Sequence, residues 1–306
     1  MFQEIHTKNV NWIHFNKPNE KDIEYLQENF NINPLAVEDF LLPTIRAKSI
    51  LYENCFFLTI LLPLYDTKIK TTYSGELNFI ITKDHLVTGV GQGGEIQQLD
   101  DFFSLLERNI GKRRLYMSES PAHLLCALLE TLLESCFPRL DNITKKIDTI
   151  EHHVFQGNEK AMVKEISYVK RDILNFRRTL MPQRSVLESL ASQKTHLIPE
   201  ILSSRLRELS DTSLRLWNAL ENDKETVESL EKTNESLLSF KLNEKMRIIT
   251  LFSTILLPMT FYANILGMNV SKIPFDTKPS AFFLHLIIMA LISIFTYLFF
   301  RWRKWV

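Results

Sequence analysis

Two long apolar stretches stand near the C-terminal end of the 306-residue chain. Residues 248–266 contain no charged side chain, and residues 281–300 contain His285 as their one ionisable group. At a rise of about 1.5 Å per residue, each stretch is long enough to cross a hydrocarbon core about 30 Å thick. The pattern predicts two transmembrane helices in a lipid bilayer, joined by the short segment 267–280.

The charges beside these spans predict their orientation. Basic residues flank the pair of spans on the outside, namely Lys241, Lys245 and Arg247 before the first and Arg301, Arg303 and Lys304 after the second. The segment between the spans carries two lysines and one aspartate. Because Lys and Arg are enriched on the cytoplasmic side, we expect both termini, including the basic tail 301–306, in the cytoplasm. The chain does not open on a basic and then an apolar segment, so we expect no signal peptide.

Residues 1–120 predict a mixed α/β domain. Apolar, β-branched runs at 55–64, 77–82 and 85–90 are typical of strands, and Lys83-Asp84 between the last two is typical of a hairpin turn. Helical patterns occur at 20–29 and around 97–109.

From residue 121 onwards the chain is predicted to be helical. Residues 121–155 predict one helix that ends at Gln156-Gly157-Asn158, and residues 159–179 predict a second that Pro182 ends. We assign 121–199 to long antiparallel helices in the cytosol.

A third helical pattern begins after Pro199 and contains no Gly or Pro from 200 to 257. Positions from 202 to 241, spaced alternately by four and three residues, are mostly apolar, and we call them the seam. Such a seam serves packing within the chain; because it leads directly into the first span, it also suits a parallel bundle of identical stalks. We predict one helix from 200 to 266, with 200–247 as its stalk and 248–266 in the membrane.

The same spacing continues into the first span, where one helical face is mostly polar. This polar face consists of Asn243, Met246, Thr250, Ser253, Leu257, Thr260 and Asn264. Polar groups in hydrocarbon are costly unless they meet partners or water. The face therefore lies either against other helices, through hydrogen bonds, or along a water-filled lumen. A lumen requires several copies of the chain, because one chain supplies one such face.

Composition argues against several other classes of protein. The 36 basic and 36 acidic residues balance, so no net field indicates binding to nucleic acid. The glycine-rich run 89–94 lacks the Lys-Ser/Thr of a phosphate loop, and Gly-x-Ser-x-Gly and His-Glu-x-x-His are absent, which argues against an enzyme. Cys55, Cys126 and Cys136 form no closely spaced pair and predict free, buried thiols.

Gly267-Met268-Asn269 follows the first span directly, and the second span ends in a basic tail with two tryptophans. With the short loop between the spans, these features resemble the CorA magnesium channels. The resemblance extends to Glu38-Asp39-Phe40-Leu41, Lys170-Arg171-Asp172-Ile173-Leu174, Asn243-Glu244-Lys245-Met246 and Leu257-Pro258-Met259-Thr260-Phe261.

The resemblance implies a funnel-shaped homopentamer in the cytoplasmic membrane. In it, an α/β cytosolic domain leads into a long helical stalk and a two-helix transmembrane hairpin. The implied cargo is Mg²⁺, with Co²⁺ and Ni²⁺ as further ions, and cytosolic Mg²⁺ is the implied regulator. No organic cofactor is implied.

The resemblance also implies roles for individual residues. Gly267, Met268 and Asn269 form the selectivity filter, where a ring of neutral amide oxygens can bind Mg²⁺ through its tightly held water shell and still release it. Deeper in the pore, the resemblance implies polar positions at Asn243, Thr250, Ser253, Thr260 and Asn264, and an apolar gate at Met246, Ile249 and Leu257. Glu208, with Asp211 one turn further on, matches the region of a regulatory metal site.

Two other functions stay open at this stage. One is Zn²⁺ transport by a member of the same superfamily, although Met268 and the lack of a His/Cys cluster favour Mg²⁺. The other is a non-conducting, membrane-anchored scaffold whose stalk serves for association.

Overall fold

A six-stranded mixed sheet organises the N-terminal part of the chain. The computed structural model describes residues 2–30, 32–44, 46–91, 94–192, 195–268 and 281–303, without the side chain of residue 281. The strands are β1 (Phe2–His6), β2 (Asn11–Asn16), β3 (Lys48–Leu51), β4 (Phe56–Asp66), β5 (Thr71–Ile81) and β6 (His85–Val90). Their order across the sheet is β1-β2-β6-β5-β4-β3; β2 and β6 are parallel, and the other neighbours are antiparallel.

The three predicted strands are confirmed as β4, β5 and β6, and the predicted turn joins β5 to β6. The backbone amide of Thr82 donates to the carbonyl of His85 across this turn (2.9 Å). β4 is buried without alternation from Phe56 to Leu64, as expected of a strand that is covered on both faces. β1, β2 and β3 were not predicted; they are short and are held by pairing with their neighbours.

Seven helices surround the sheet in the described part of this region. They are α1 (Glu20–Asn29), α2 (Pro34–Leu41), α3 (Gln97–Arg108), α4 (Ile110–Met117), α5 (Pro121–Glu134), α6 (Phe137–Phe155) and α7 (Glu159–Ser192). β2 shows how the two faces are covered: Ile13 and Phe15 join the core with α1 and α2, whereas Trp12 packs on Phe102 and Phe103 of α3. The three cysteines are free and buried, as predicted.

Two predicted helix boundaries are wrong, both at prolines. Residues 121–155 form two helices because Pro138 has no amide to donate and starts a new helix in its first turn. Conversely, α7 continues through Pro182 to Ser192. The residues beyond Pro182, among them Val186, Leu187 and Leu190, are buried, and burial of each stabilises by about 1.5–3 kcal/mol, which offsets the roughly 3 kcal/mol cost of an internal proline.

The predicted long helix is confirmed. A 3₁₀ turn at Glu200–Leu202 opens it, α8 runs from Ser203 to Leu266, and the second span is α9 (Ala281–Trp302). The seam is buried within a single chain at Leu202, Leu206, Leu209, Ser213, Leu216, Leu220, Asp223, Val227, Leu230 and Asn234. Contacts from neighbouring helices include Thr144 of α6, which donates to Asp223 (3.0 Å), and Arg177 of α7, which pairs with Glu221 (2.6 Å). Packing within the chain accounts for these ten positions, so they give no separate support to a parallel bundle of stalks.

A buried histidine lies on the α3 side of β2. Trp12 Nε1 donates to Thr88 Oγ1 (2.9 Å), and that hydroxyl is also 2.9 Å from His14 Nδ1. His14 is 2% exposed, and its Nε2 lies 3.5 Å from a carboxylate oxygen of Asp100. Burial lowers the pKa of His14 to about 4.

We expect His14 to make the protein less stable in mild acid. Because its folded-state pKa lies below the ordinary value of 6.5, the unfolded chain binds more protons between pH 6.5 and about 4. The free energy of unfolding should therefore fall by up to about 3 kcal/mol as the pH decreases through this window. Thermal midpoints of the full-length protein in detergent, measured from pH 7 to pH 5, should decline less steeply for His14→Phe. The exposed His196 provides the control, since His196→Gln should keep the wild-type slope; an equal slope in His14→Phe would refute the assignment.

Candidate ion pathway

The C-terminal unit, Glu235–Val306, contains the membrane part of α8 and all of α9. Within the described residues, helices spanning Glu200–Leu266 and Phe282–Trp302 contain windows long and apolar enough to cross a membrane. Two polar contacts join them: Tyr262 Oη is 2.7 Å from His285 Nδ1, and Ser293 Oγ donates to Met259 Sδ (2.9 Å). These contacts were not predicted; His285, a polar side chain in the middle of an apolar stretch, was the signal that pointed to one of them.

The side of α8 that packs on α9 is half-buried. It consists of Leu251, Thr254, Ile255, Pro258, Met259, Tyr262 and Leu266. Four of these residues are followed, two positions later, by a residue of the polar face. For example, Ser253 follows Leu251 and Asn264 follows Tyr262. Two residues correspond to about 200° of rotation, so the polar face points away from α9. All seven of its residues are exposed in the single chain.

Hydroxyl groups on the polar face already use their protons. Thr250 Oγ1 donates to the carbonyl of Met246 (2.8 Å), and Thr260 Oγ1 donates to the carbonyl of Leu256 (2.9 Å). Such bonds reduce the cost of a hydroxyl in the membrane and leave oxygen lone pairs pointing outward. These oxygens can accept hydrogen bonds from the water shell of a hydrated cation.

The residues predicted to form the apolar gate are also exposed. Leu257 lies on the polar face with 71% of its surface exposed, Met246 is 53% exposed and Ile249 is 59% exposed. In a membrane, an apolar side chain that points away from the partner span meets either lipid or another protein chain. In a bundle of identical helices, such side chains would form rings that exclude water.

The predicted filter is only partly within the described residues. Gly267 and Met268 end α8: the amide of Gly267 donates to the carbonyl of Ala263 (3.0 Å), and that of Met268 donates to the carbonyl of Ile265 (3.3 Å). A Cβ placed on Gly267 would meet the carbonyls of Ala263 and Asn264 at 3.5 Å or more, which is ordinary contact. Asn269 lies outside the described residues.

The predicted regulatory residues do not form a complete site in one chain. Glu208 and Asp211 are both exposed on α8. Glu208 lines a small recess with Glu130, Arg205 and Arg215, and Arg205 pairs with Glu130 (3.2 Å). In the part of the chain that the structure describes, no three His, Cys, Asp or Glu residues are grouped to hold a metal ion.

The fold and the pathway together define a membrane protein in which a long helix leads from an α/β domain into a two-helix hairpin. The chain matches the family model of the CorA-like Mg²⁺ transporter protein over residues 7–303. It belongs to this family, which consists of membrane transporters of divalent cations and is not a class of enzymes.

Relatives and solved structures agree with this assignment. The chain is 28% identical to the cobalt/magnesium transport protein CorA of Thermotoga maritima over 295 residues, which cover 96% of this chain and 83% of that protein. It is 25% identical to the zinc transport protein ZntB of Pectobacterium carotovorum over 164 residues, or 52% of this chain and 48% of that protein. The fold matches the CorA magnesium transporter from Methanocaldococcus jannaschii with a TM-score of 0.85 at 21% identity, covering 99% of this chain and 94% of that one. Because zinc and magnesium transporters both occur among the relatives, these matches do not identify the ion.

Proposed function

We propose that this protein conducts Mg²⁺ across the cytoplasmic membrane through a homo-oligomeric pore lined by the polar face of α8. The observation that carries the proposal is the position of this face, which is exposed and points away from α9. One chain cannot enclose a lumen with a single helical face, so identical copies must bring these faces together. The resemblance to CorA channels supports five copies in a funnel-shaped assembly.

The chemistry of the polar face favours a hydrated, oxygen-seeking cation. Its polar side chains are hydroxyls and amides, which suit the water shell of Mg²⁺ and also that of Co²⁺ or Ni²⁺. Transport of Zn²⁺ is the second candidate, because the zinc transporter ZntB is among the relatives. The His and Cys ligands that favour Zn²⁺ are absent from the polar face.

The remaining assignments follow the resemblance. Residues 1–247 would be cytosolic, 267–280 would lie outside with the filter Gly267-Met268-Asn269, and the tail 301–306 would return to the cytosol. Met246, Ile249 and Leu257 would form the gate. Glu208 and Asp211 would meet groups of a neighbouring copy and sense cytosolic Mg²⁺, which fits their exposure and the finding that the described residues of one chain contain no group of three His, Cys, Asp or Glu suited to a metal ion.

Ion flux into dye-loaded proteoliposomes tests the proposal, with Mg²⁺, Co²⁺ and Zn²⁺ offered separately. We expect Mg²⁺ uptake by the wild type and a decrease of at least about tenfold in Asn269→Ala, since a filter ring would lose its amide oxygens. Asn222→Ala, at an exposed position of α8 before the membrane, is the matched control and should conduct normally. Zn²⁺ uptake without Mg²⁺ uptake would establish the zinc function. Absence of flux at both low and high internal Mg²⁺ would refute the channel and favour the non-conducting scaffold.

A further inference from the structure

A cavity of about 1070 Å³ lies in the N-terminal unit between α6, α7 and the hairpin of β4 and β5. Its size is that of sites that hold small organic molecules. None of its lining residues belongs to the ion pathway described above, since the last of them along the chain is Asp172.

Basic side chains line the α6 side of this cavity. Arg139, Lys146 and His153 recur every seven residues and therefore lie about 10 Å apart along one stripe of the helix, with Lys145 beside them. Among the described residues, neither Arg139 nor Lys145 forms an ion pair. The lining of the cavity thus contains three Arg or Lys side chains and His153 against two carboxylates, those of Glu165 and Asp172.

The buried acid across the cavity is largely committed to another partner. Asp172 is 3% exposed, and its Oδ1 accepts hydrogen bonds from the amide (2.7 Å) and the hydroxyl (2.5 Å) of Thr72. Lys146 Nζ lies 3.8 Å from Asp172 Oδ2, which is longer than a hydrogen bond. The ammonium instead donates to Tyr65 Oη (3.3 Å) and lies 4.9 Å from the centre of the Tyr65 ring. These contacts hold the charge at the cavity wall with donors left for an anion.

Two further features indicate what kind of anion would fit. Among the residues that the structure describes, His153 Nδ1 is buried and has no hydrogen-bond partner, which is costly unless a ligand or water meets it. The more accessible apolar surface of the cavity comes from Pro138, Met162 and the ring of Tyr65, and Asn142 and Gln98 supply amide groups. A bare inorganic anion would leave the apolar wall uncovered, whereas a molecule with a flat ring and a phosphate chain would use both parts.

We propose that this cavity binds a nucleotide, with its phosphates between Arg139 and Lys146 and its base against the accessible apolar part of the wall. The proposal is independent of the transported ion and of the number of subunits. It predicts that affinity depends on the basic residues of α6, on the free volume of the cavity and on the organic part of the ligand.

The test is calorimetric titration of the full-length protein in detergent with ATP and, separately, with tripolyphosphate. Metal-free buffer prevents chelation of divalent cations from contributing to the signal. Arg139→Ala and Lys146→Ala should each weaken ATP binding by about tenfold, because each removes a charge-assisted hydrogen bond. Thr149→Trp should also weaken it by filling the cavity without changing the charge. Lys164→Ala removes an exposed lysine of α7 that does not line the cavity and should leave ATP binding unchanged.

Thermal midpoints of the variants identify any that fail to fold. Arg139→Ala removes no ion pair among the described residues, so it keeps the test informative even if Lys146→Ala is unstable. Tighter binding of ATP than of tripolyphosphate, lost in the three cavity variants, would support the proposal. It would be overturned by absence of ATP binding to the wild type, by equal affinity for both ligands, or by wild-type affinity in the folded cavity variants.

Discussion

Cysteine at Thr260 is expected to make cation flux sensitive to a charged, thiol-directed reagent, whereas cysteine at Thr254 is not. Thr260 lies on the exposed polar face, and Thr254 lies on the half-buried side towards α9, about 120° away around the helix. Both hydroxyls donate to the carbonyl four residues earlier, so the two sites have the same local chemistry and differ in the direction they face.

The physical reason for the difference is access to water. A thiol in a water-filled lumen ionises and reacts, and a bulky charged adduct there should decrease flux by at least about tenfold by blocking the pore. The reagent is applied to both sides of proteoliposomes so that a closed apolar gate does not shield either position. The native cysteines are buried, which keeps the background low. Inhibition through Thr254→Cys with none through Thr260→Cys would place the lumen on the other side of α8 and refute the proposed pathway.

Replacement of Asp172 by alanine is expected to cause a large loss of stability in the N-terminal unit. Its carboxylate receives both the amide and the hydroxyl of Thr72 and so joins α7 to β5. Alanine would leave these two buried donors without an acceptor, at a cost of about 1–3 kcal/mol for each. We therefore expect the free energy of unfolding to fall by about 3 kcal/mol or more, with a decrease of roughly 6–12 °C in the thermal midpoint.

The variant Asp172→Asn separates the hydrogen bonds from the charge. Its amide oxygen can still accept from Thr72, so it should lose clearly less stability than the alanine variant. Denaturation of both proteins in the same detergent gives the comparison. A change of less than about 1 kcal/mol in Asp172→Ala would show that Thr72 finds other partners and that this contact does not hold α7 to the sheet.

The long, periodic elements were the most predictable part of the fold. Strong patterns identified β4, β5, β6 and α8, because an uninterrupted apolar run or a regular helical repeat can be recognised in the sequence without knowledge of distant contacts. The two errors at prolines arose for a different reason. Proline has a fixed local cost, and whether a helix bears it depends on the tertiary contacts beyond, which are many after Pro182.

The candidate pathway was predicted in part. The polar face could be recognised from its spacing alone, because the periodicity of a helix determines which residues share a face. Which neighbour they meet was left open, because hydrogen-bonding helices and a lumen both tolerate Ser, Thr and Asn. The contacts of Tyr262 with His285 and of Met259 with Ser293 place α9 on the opposite side, and these pairs are 23 and 34 residues apart in the chain.

The sequence by itself determined the two spans, the α/β character of the N-terminal part, the continuous helix into the membrane and the resemblance to the CorA family. These properties depend on segment length, composition and the period of the hydrophobic pattern, all of which are present in the sequence. The tertiary structure alone decided that the seam is used for packing within the chain, that the polar face points away from α9, and that basic side chains of α6 line one side of a cavity. Each of these depends on which distant segments meet, and burial and hydrogen bonding across the folded chain decide that choice.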